Sequence, residues 1–212
     1  VIDGDAVSLE NIVANFSDKN AGNNKTVTVN SNIGGADASN YQLSNTTEYI
    51  LANILKKPVT VSISASDKVY DRLVSASASA SMSGVIAGDT VSLNTPSATF
   101  SDKDAGNGKT VTMSGISISG ADVSNYNLQN FTATTTANIT PKPITSSYTA
   151  SHKVYDRSTS ATVSGSLTGV IFGDTVTIAE TSSFFSDINV ANSKTVTVTG
   201  ISIGGPGSPN YS

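Results

Sequence analysis

The chain has no cysteine, no tryptophan and a single histidine in 212 residues. Lacking cysteine, it holds no disulfide framework and no thiolate zinc or redox site, and the compartment is left open. The lone histidine, His152, is the only imidazole base, and its equivalent one repeat earlier is Asp67. A position that exchanges Asp for His is a solvated one, so a nucleophile–histidine pair is not expected. Charged residues are 13% and the net charge is −4. No basic stripe is available to neutralise phosphates, so nucleic acid is not expected as a partner. No apolar run approaches the ~20 residues of a membrane-spanning helix, so no membrane insertion is expected. Glutamate, lysine and leucine are too sparse for long amphipathic helices. The opening "VIDGD" carries neither the charged nor the apolar region of a leader peptide.

What the chain does have is valine, isoleucine and threonine in regular alternation, and an internal repeat. "GDAVSL" (residues 4–9), "GDTVSL" (88–93) and "GDTVTI" (173–178) align, with Asp5, Asp89 and Asp174 standing 84 and 85 residues apart. "FSDKNAGNNKTVTV" (16–29), "FSDKDAGNGKTVTM" (100–113) and "FSDINVANSKTVTV" (185–198) keep the same step. So do "SNYQL" (39–43), "SNYNL" (124–128) and "PNYS" (209–212). "KVYDR" occurs at 68–72 and again at 153–157. A period of about 85 residues is too long for a solenoid and suits a small β-sandwich. The proline-bearing stretches "ILKKPVT" (54–60) and "ITPKPIT" (139–145) mark the boundaries, where strand pairing is expected to stop. The resulting domains are 1–56, the C-terminal part of a first repeat; 57–141, a complete repeat; and 142–212, a third repeat lacking its last strand. The expectation is a window on a longer array.

Within the complete repeat, "PVTVSISA" (58–65) alternates as a half-buried strand. "SASASASMSG" (75–84) reads as a thin-sided strand, followed by strands at 90–94 and 97–102. "AGNG" (105–108) reads as a hairpin turn leading into a long strand at 109–119, bent at Gly115. Strands at "NYNL" and at 132–140 close the repeat. About seven short strands with turns every 8–12 residues predict an all-β fold, tandem Ig-like antiparallel β-sandwiches. "ADVSNYNL" sets Asp122 four residues before Tyr126, and Asp37 and Tyr41 repeat that spacing. In the third copy Gly207 replaces the aspartate and Tyr211 remains. This is the pattern of a structural tyrosine corner, the hydroxyl bonding backbone.

KVYDR gathers a lysine, a tyrosine, an aspartate and an arginine into five residues. Read as a strand, it packs its tyrosine and solvates its ends. Lys68, Tyr70 and Asp71, with Lys153, Tyr155 and Asp156, form the repeat signature. "KVYDR", "GDTVSL", "FSDKDAGNGKTVTMSG", "SGADVSNYNL" and "TANITPKPIT" together resemble the YDG/MBG-type repeats of large bacterial exported proteins, which recur in filamentous-haemagglutinin-like and other surface adhesins. The resemblance covers essentially the whole chain. It implies an extracellular, bacterial cell-surface, Ig-like spacer or adhesive repeat. One departure stands out: Arg72 and Arg157 occupy the place of the glycine in Y-D-G. If that glycine has φ above zero, arginine is strained there. The expectation is that the turn differs or never required glycine.

Recurring Asp5/Asp89/Asp174 and Asp18/Asp102/Asp187 beside strands read as turn residues rather than acid/base pairs. No catalytic residue and no cofactor is assigned, and the expected class is not an enzyme. "DKDAGNG" resembles a calcium loop and makes Asp102 and Asp104 the calcium candidates. It departs from the EF-hand template at the third oxygen, the central glycine and the terminal glutamate. Lys25, Lys109 and Lys194 recur at a strand start and read as exposed turn lysines, against an isopeptide alternative that needs a buried acid. The threonine-rich strands read as ordinary solvent faces.

The sequence therefore predicts a structural repeat segment of an extracellular adhesin or matrix fibre, with neighbouring repeats of the same chain as partners. Two alternatives stand beside it. One is a filament formed by strand exchange between copies, and the other is a module that binds surface glycans.

Overall fold

The computed structural model describes residues 1–212. The fold is all-β, with three short 3₁₀ turns and no α-helix. No helix is long and apolar enough to cross a membrane. The chain forms two compact units: residues 1–62, 81–95 and 115–131 in the first, and 63–80, 96–114 and 132–212 in the second.

In the first unit the strands Ser8–Phe16, Gly22–Gly34 and Thr47–Ile54 form an antiparallel meander. Two bulges interrupt its ladders, one near Asn11 and one near Asn24, both with φ close to 50°. Asparagine tolerates the left-handed region better than other side chains. Ser92–Asn94 pairs antiparallel with Ser117–Ser119, and Tyr126–Leu128 pairs parallel with Lys57–Val59. Strand Lys57–Ala65 alternates as its sequence predicts. Val59 and Val61 are buried while Thr60 and Ser62 are exposed. Those exposed hydroxyls meet Ser83 and Ser81 at 2.8 and 2.9 Å. Ile116, Tyr126 and Leu128 complete this core.

The second unit holds a five-stranded sheet in the order Lys68–Val69, Thr132–Thr140, Gly106–Ser114, Ala98–Phe100, Ser75–Ala76. Thr132–Thr140 is antiparallel to Gly106–Ser114 and parallel to Lys68–Val69. Its inward residues are Tyr70, Ala98, Phe100, Val111, Met113, Ala133, Ala137 and Ile139, all buried. Burial of alternate residues along Ala98–Phe100, at Val111 and Met113, and along Thr132–Thr140 is what a one-faced sheet requires. The same unit contains three antiparallel pairs from the last repeat: Thr145–Ala150 with Val163–Thr168, Thr177–Ala179 with Ser202–Gly204, and Ser182–Phe185 with Val196–Thr199.

Three local expectations are corrected. Asn107–Gly108 is not a hairpin turn. It is a bulge within Gly106–Ser114, with Gly108 at φ 61° and its N–H donated to the Asn138 side chain at 2.8 Å. The chain reverses earlier, at residues 101–105. Pairing lapses at Leu55 and Lys56 but resumes at Lys57, so Pro58 lies inside a ladder. In the matching stretch Lys142 and Ile144 donate to Asn210 and Ser212, and Pro143 falls between them where no donor is needed. The serine-rich segment is two strands, Ser75–Ala76 and Ala78–Ser83, broken where Ser77 accepts the Ser66 N–H.

Candidate functional site

The first KVYDR is a two-residue strand followed by a tight turn. Lys68–Val69 adds to the edge of Thr132–Thr140, and the Tyr70 N–H continues that ladder to the Thr140 carbonyl at 2.9 Å. The chain then reverses around Asp71. Its carboxylate accepts the Leu73 N–H at 2.9 Å and the Lys68 ammonium at 2.7 Å. Lys68 also reaches the carbonyls of Leu73 and Ser75 and lies over the Phe100 ring. This clamp sets Arg72 at φ 67°. The second copy repeats the device. Asp156 accepts Lys153 and the Ser158 N–H, which hold its carboxyl down at about 2, and Arg157 has φ 64°. Of the two expectations, a different turn or a position that never required glycine, this geometry fits the second. The turn is left-handed in both copies, and arginine occupies it at a cost of about 1 kcal/mol.

Arg72 points its guanidinium at the Gly-Asp turn of the last repeat. Nε lies 3.1 Å from Asp174 Oδ1, and Nη1 donates to the Phe172 carbonyl. Asp174 has a side chain 7% exposed. Its other oxygen accepts the hydroxyls of Tyr211 at 2.6 Å and Tyr70 at 2.9 Å. The two rings meet edge to face at 5.6 Å. Tyr211 in turn accepts the Ile171 N–H at 3.0 Å. The Tyr211 and Tyr70 hydroxyls and the Arg72 charge hold the Asp174 carboxyl below its usual range, against the opposing effect of burial. Burial, and then the adjacent carboxylate, push both phenols up. Groups tuned this way keep their hydrogen bonds across neutral pH and resist forming a phenolate nucleophile.

Asn210, 6% exposed, makes a second link. Its carbonyl oxygen accepts the Ala105 N–H at 2.7 Å, and its amide donates to Asp104 at 3.1 Å. The first unit contains the same pair one repeat earlier: Asn125 accepts the Ala21 N–H at 2.8 Å and donates to Asn20 at 3.3 Å. There Asp89 accepts the Tyr126 hydroxyl at 2.6 Å and faces Lys19 at 3.8 Å. The residues that meet are thus fixed by place in the repeat. The SDK turn and YDR turn of one repeat meet the Gly-Asp and Asn-Tyr turns of the next.

The tyrosine hydroxyls of all three copies bond backbone as acceptors, from Ile2, Ile86 and Ile171, each 39 or 40 residues upstream. Tyr41 donates to Asp5 as Tyr126 does to Asp89. Asp37 and Asp122 accept the N–H groups of Ala6 and Thr90 at 2.9 and 2.8 Å. The N–H groups of Asp37, Asp122 and Gly207 all donate to carbonyls of that same stretch, at Ala6, Thr90 and Thr175, so the third copy keeps the backbone bond and lacks only the side-chain one.

Asp102 and Asp104 do not converge on one point. Asp102 is taken by Lys109 at 2.5 Å, and Asp104 by Lys103 and Asn210. No group of three or more His, Cys, Asp or Glu is placed to hold a metal ion. Lys25, Lys109 and Lys194 are not exposed turn lysines. Their side chains are 10%, 14% and 11% exposed and reach Asp18, Asp102 and Asp187. The three carboxylates are each 50% exposed, unlike the buried acid that isopeptide formation needs. His152 is exposed. It edges an open groove between residues 150–158 and 185–196. Lys153 and Asp187 in that groove are each already paired, with Asp156 and Lys194.

Sequence reasoning isolated Tyr70, Asp174 and Tyr211 but not their meeting, and it left Arg72 and Asn210 without a role. The recurrence of Asn before each Tyr was the available signal. No curated protein and no solved structure matches the chain. A family model described as the YDG domain matches residues 1–48, 55–137 and 140–212, so the chain belongs to the YDG domain family.

Proposed function

We propose that this chain is a structural spacer, a run of tandem Ig-like YDG units of about 85 residues. It would belong to a bacterial adhesin or matrix fibre outside the cell, where the array carries a binding tip or builds a fibre. The observation that supports this reading most directly is the Tyr70–Arg72–Asp174–Tyr211 cluster. Its polar groups are spent on joining one repeat to the next. A stalk needs such joints, because its stiffness depends on what links one repeat to the next. The proline-bearing stretches, paired through Pro58 and on both sides of Pro143, further restrict bending. Each repeat is expected to add roughly 30–40 Å, from strand rise and usual strand length plus loops.

Small-angle X-ray scattering on the 212-residue chain and on a chain lengthened by one copy of residues 57–141 tests this. The maximum dimension should grow by that increment per added repeat. An unchanged maximum dimension would sink the spacer reading.

A further inference from the structure

We propose that the ends of each repeat are tension-bearing clasps. A pull along the chain loads their parallel ladders lengthwise, and the repeat keeps its length until it unfolds as a whole. The inference rests on the spacer reading only for the source of the pull. The middle repeat begins on the strand Lys57–Ala65 and ends on Thr132–Thr140. Each of these strands is gripped in parallel. Lys57–Val59 pairs with Tyr126–Leu128, and the Gln129 N–H extends that ladder to the Val59 carbonyl at 2.9 Å. The Asn130 side chain then acts as one more peptide group. Its oxygen accepts the Val61 N–H at 2.9 Å, and its amide donates to the Val61 carbonyl at 2.8 Å. At the other end Ile139 and Thr140 pair with Lys68 and Val69, and the Tyr70 N–H donates to the Thr140 carbonyl at 2.9 Å. Only Pro141, with its fixed φ, separates Thr140 from Lys142. There the next repeat takes hold, again in parallel. The Lys142 N–H donates to Asn210 at 2.9 Å, the Ser212 N–H to Lys142 at 3.0 Å and the Ile144 N–H to Ser212 at 2.9 Å.

Direction decides what these ladders do under load. Tension enters Lys57 at the N-terminal end of its strand and leaves Leu128 from the C-terminal end of the parallel one. The strands are drawn past one another, and their bonds must yield together. The same holds for Lys68–Val69 against Ile139–Thr140. An antiparallel pair pulled from its open end instead parts one bond at a time, because its bonds lie across the strands. Chain order makes the two clasps redundant. The first carries load from residues 57–61 to 126–130, and the second carries it from 68–70 to 139–140. Either one alone keeps residues 71–125 out of the load path. Resistance to a pull is set by the unfolding barrier and not by equilibrium stability, so a repeat with a modest core can still hold its length.

Single-molecule force spectroscopy on the 212-residue chain tests this. The chain has no cysteine, so introduced cysteines carry the handles. Lys56→Cys with Lys142→Cys pulls the middle repeat through its ends. Ser97→Cys with Ser114→Cys pulls the antiparallel pair Ala98–Phe100 and Val111–Met113 from its open end. The end-to-end geometry should need roughly twofold more force or greater. It should release the span between the handles in one step, on the order of 300 Å at ~3.5 Å per residue less the folded length. Asn130→Ala should lower the end-to-end force and leave the other geometry unchanged, whereas a purely structural loss would lower both. If Asn130→Ala does not fold, the two geometries compared in the chain with Asn130 intact decide. Equal forces in the two geometries, or lengthening in small steps at low force, would overturn the proposal. Either result leaves the spacer reading to scattering, which measures length without load.

Discussion

Replacing Arg72 and Arg157 with glycine, one at a time, should move stability in opposite directions. Both arginines hold a left-handed backbone, at φ 67° and 64°. Glycine relieves about 1–2 kcal/mol of strain there and adds about 0.5–1 kcal/mol of unfolded-chain entropy. At 157 nothing else is lost, so Arg157→Gly should stabilise by about 0.5–1 kcal/mol. At 72 the variant also loses the charge-assisted bond to Asp174, whose side chain is 7% exposed, and the bond to the Phe172 carbonyl. A bond to a charged group contributes about 1.5–3 kcal/mol. The lower end applies because the Arg72 side chain is 37% exposed and partly screened. Adding the neutral bond, the net effect of Arg72→Gly is a loss of about 1 kcal/mol. Arg72→Ala keeps the strain and should cost about 1 kcal/mol more than the glycine variant. Guanidinium unfolding followed by circular dichroism measures all three, with midpoints compared at constant slope. Two glycine variants shifting in the same direction would refute the reasoning, because strain alone would then account for both.

Acid should open the joint. The Asp174 carboxyl is depressed in the folded protein, so its contribution is complete above the ordinary value near 3.8 and is lost as pH falls through the lower folded value. Unfolding midpoints between pH 6 and 2 should fall less steeply for Asp174→Asn than for the unaltered chain, and equal slopes would count against the assignment. Alkali works on Tyr70 with the opposite sign. Its raised value means that its contribution is intact below pH ~10 and lost as pH climbs through the folded value, so Tyr70→Phe should flatten the alkaline limb of the same titration. Asn210→Ala leaves the Ala105 N–H without its acceptor and should cost about 1–3 kcal/mol; a neutral outcome in the same unfolding assay would show that water replaces the amide. Intact mass of the purified chain should equal the sequence mass, because the carboxylates facing Lys25, Lys109 and Lys194 are half exposed; loss of ammonia or water would instead reveal isopeptide bonds.

Much of the strand content was legible. Alternation located the strands Lys57–Ala65 and Thr132–Thr140 to within a residue, because one buried face imposes a period of two on any strand. The chain reversal before Gly106 was misplaced, because Asn-Gly satisfies a left-handed pair of residues in a bulge as well as in a hairpin turn. Lys25, Lys109 and Lys194 were misjudged for a related reason. A lysine reads as exposed from its charge, while its long stem packs and its ammonium finds an aspartate seven residues away along a folded loop.

By itself the sequence determined that the chain is all-β, repetitive and without thiol chemistry, and that Tyr70 would be packed. Only the tertiary structure decided what Arg72 is for. Its partner Asp174 lies 102 residues away in the chain, on a turn of a different repeat. Periodicity records which face of a strand is buried, a local property. It carries no information about which exposed turns meet, and the strain that Arg72 bears in its left-handed turn is offset by a bond that exists only where two repeats come together.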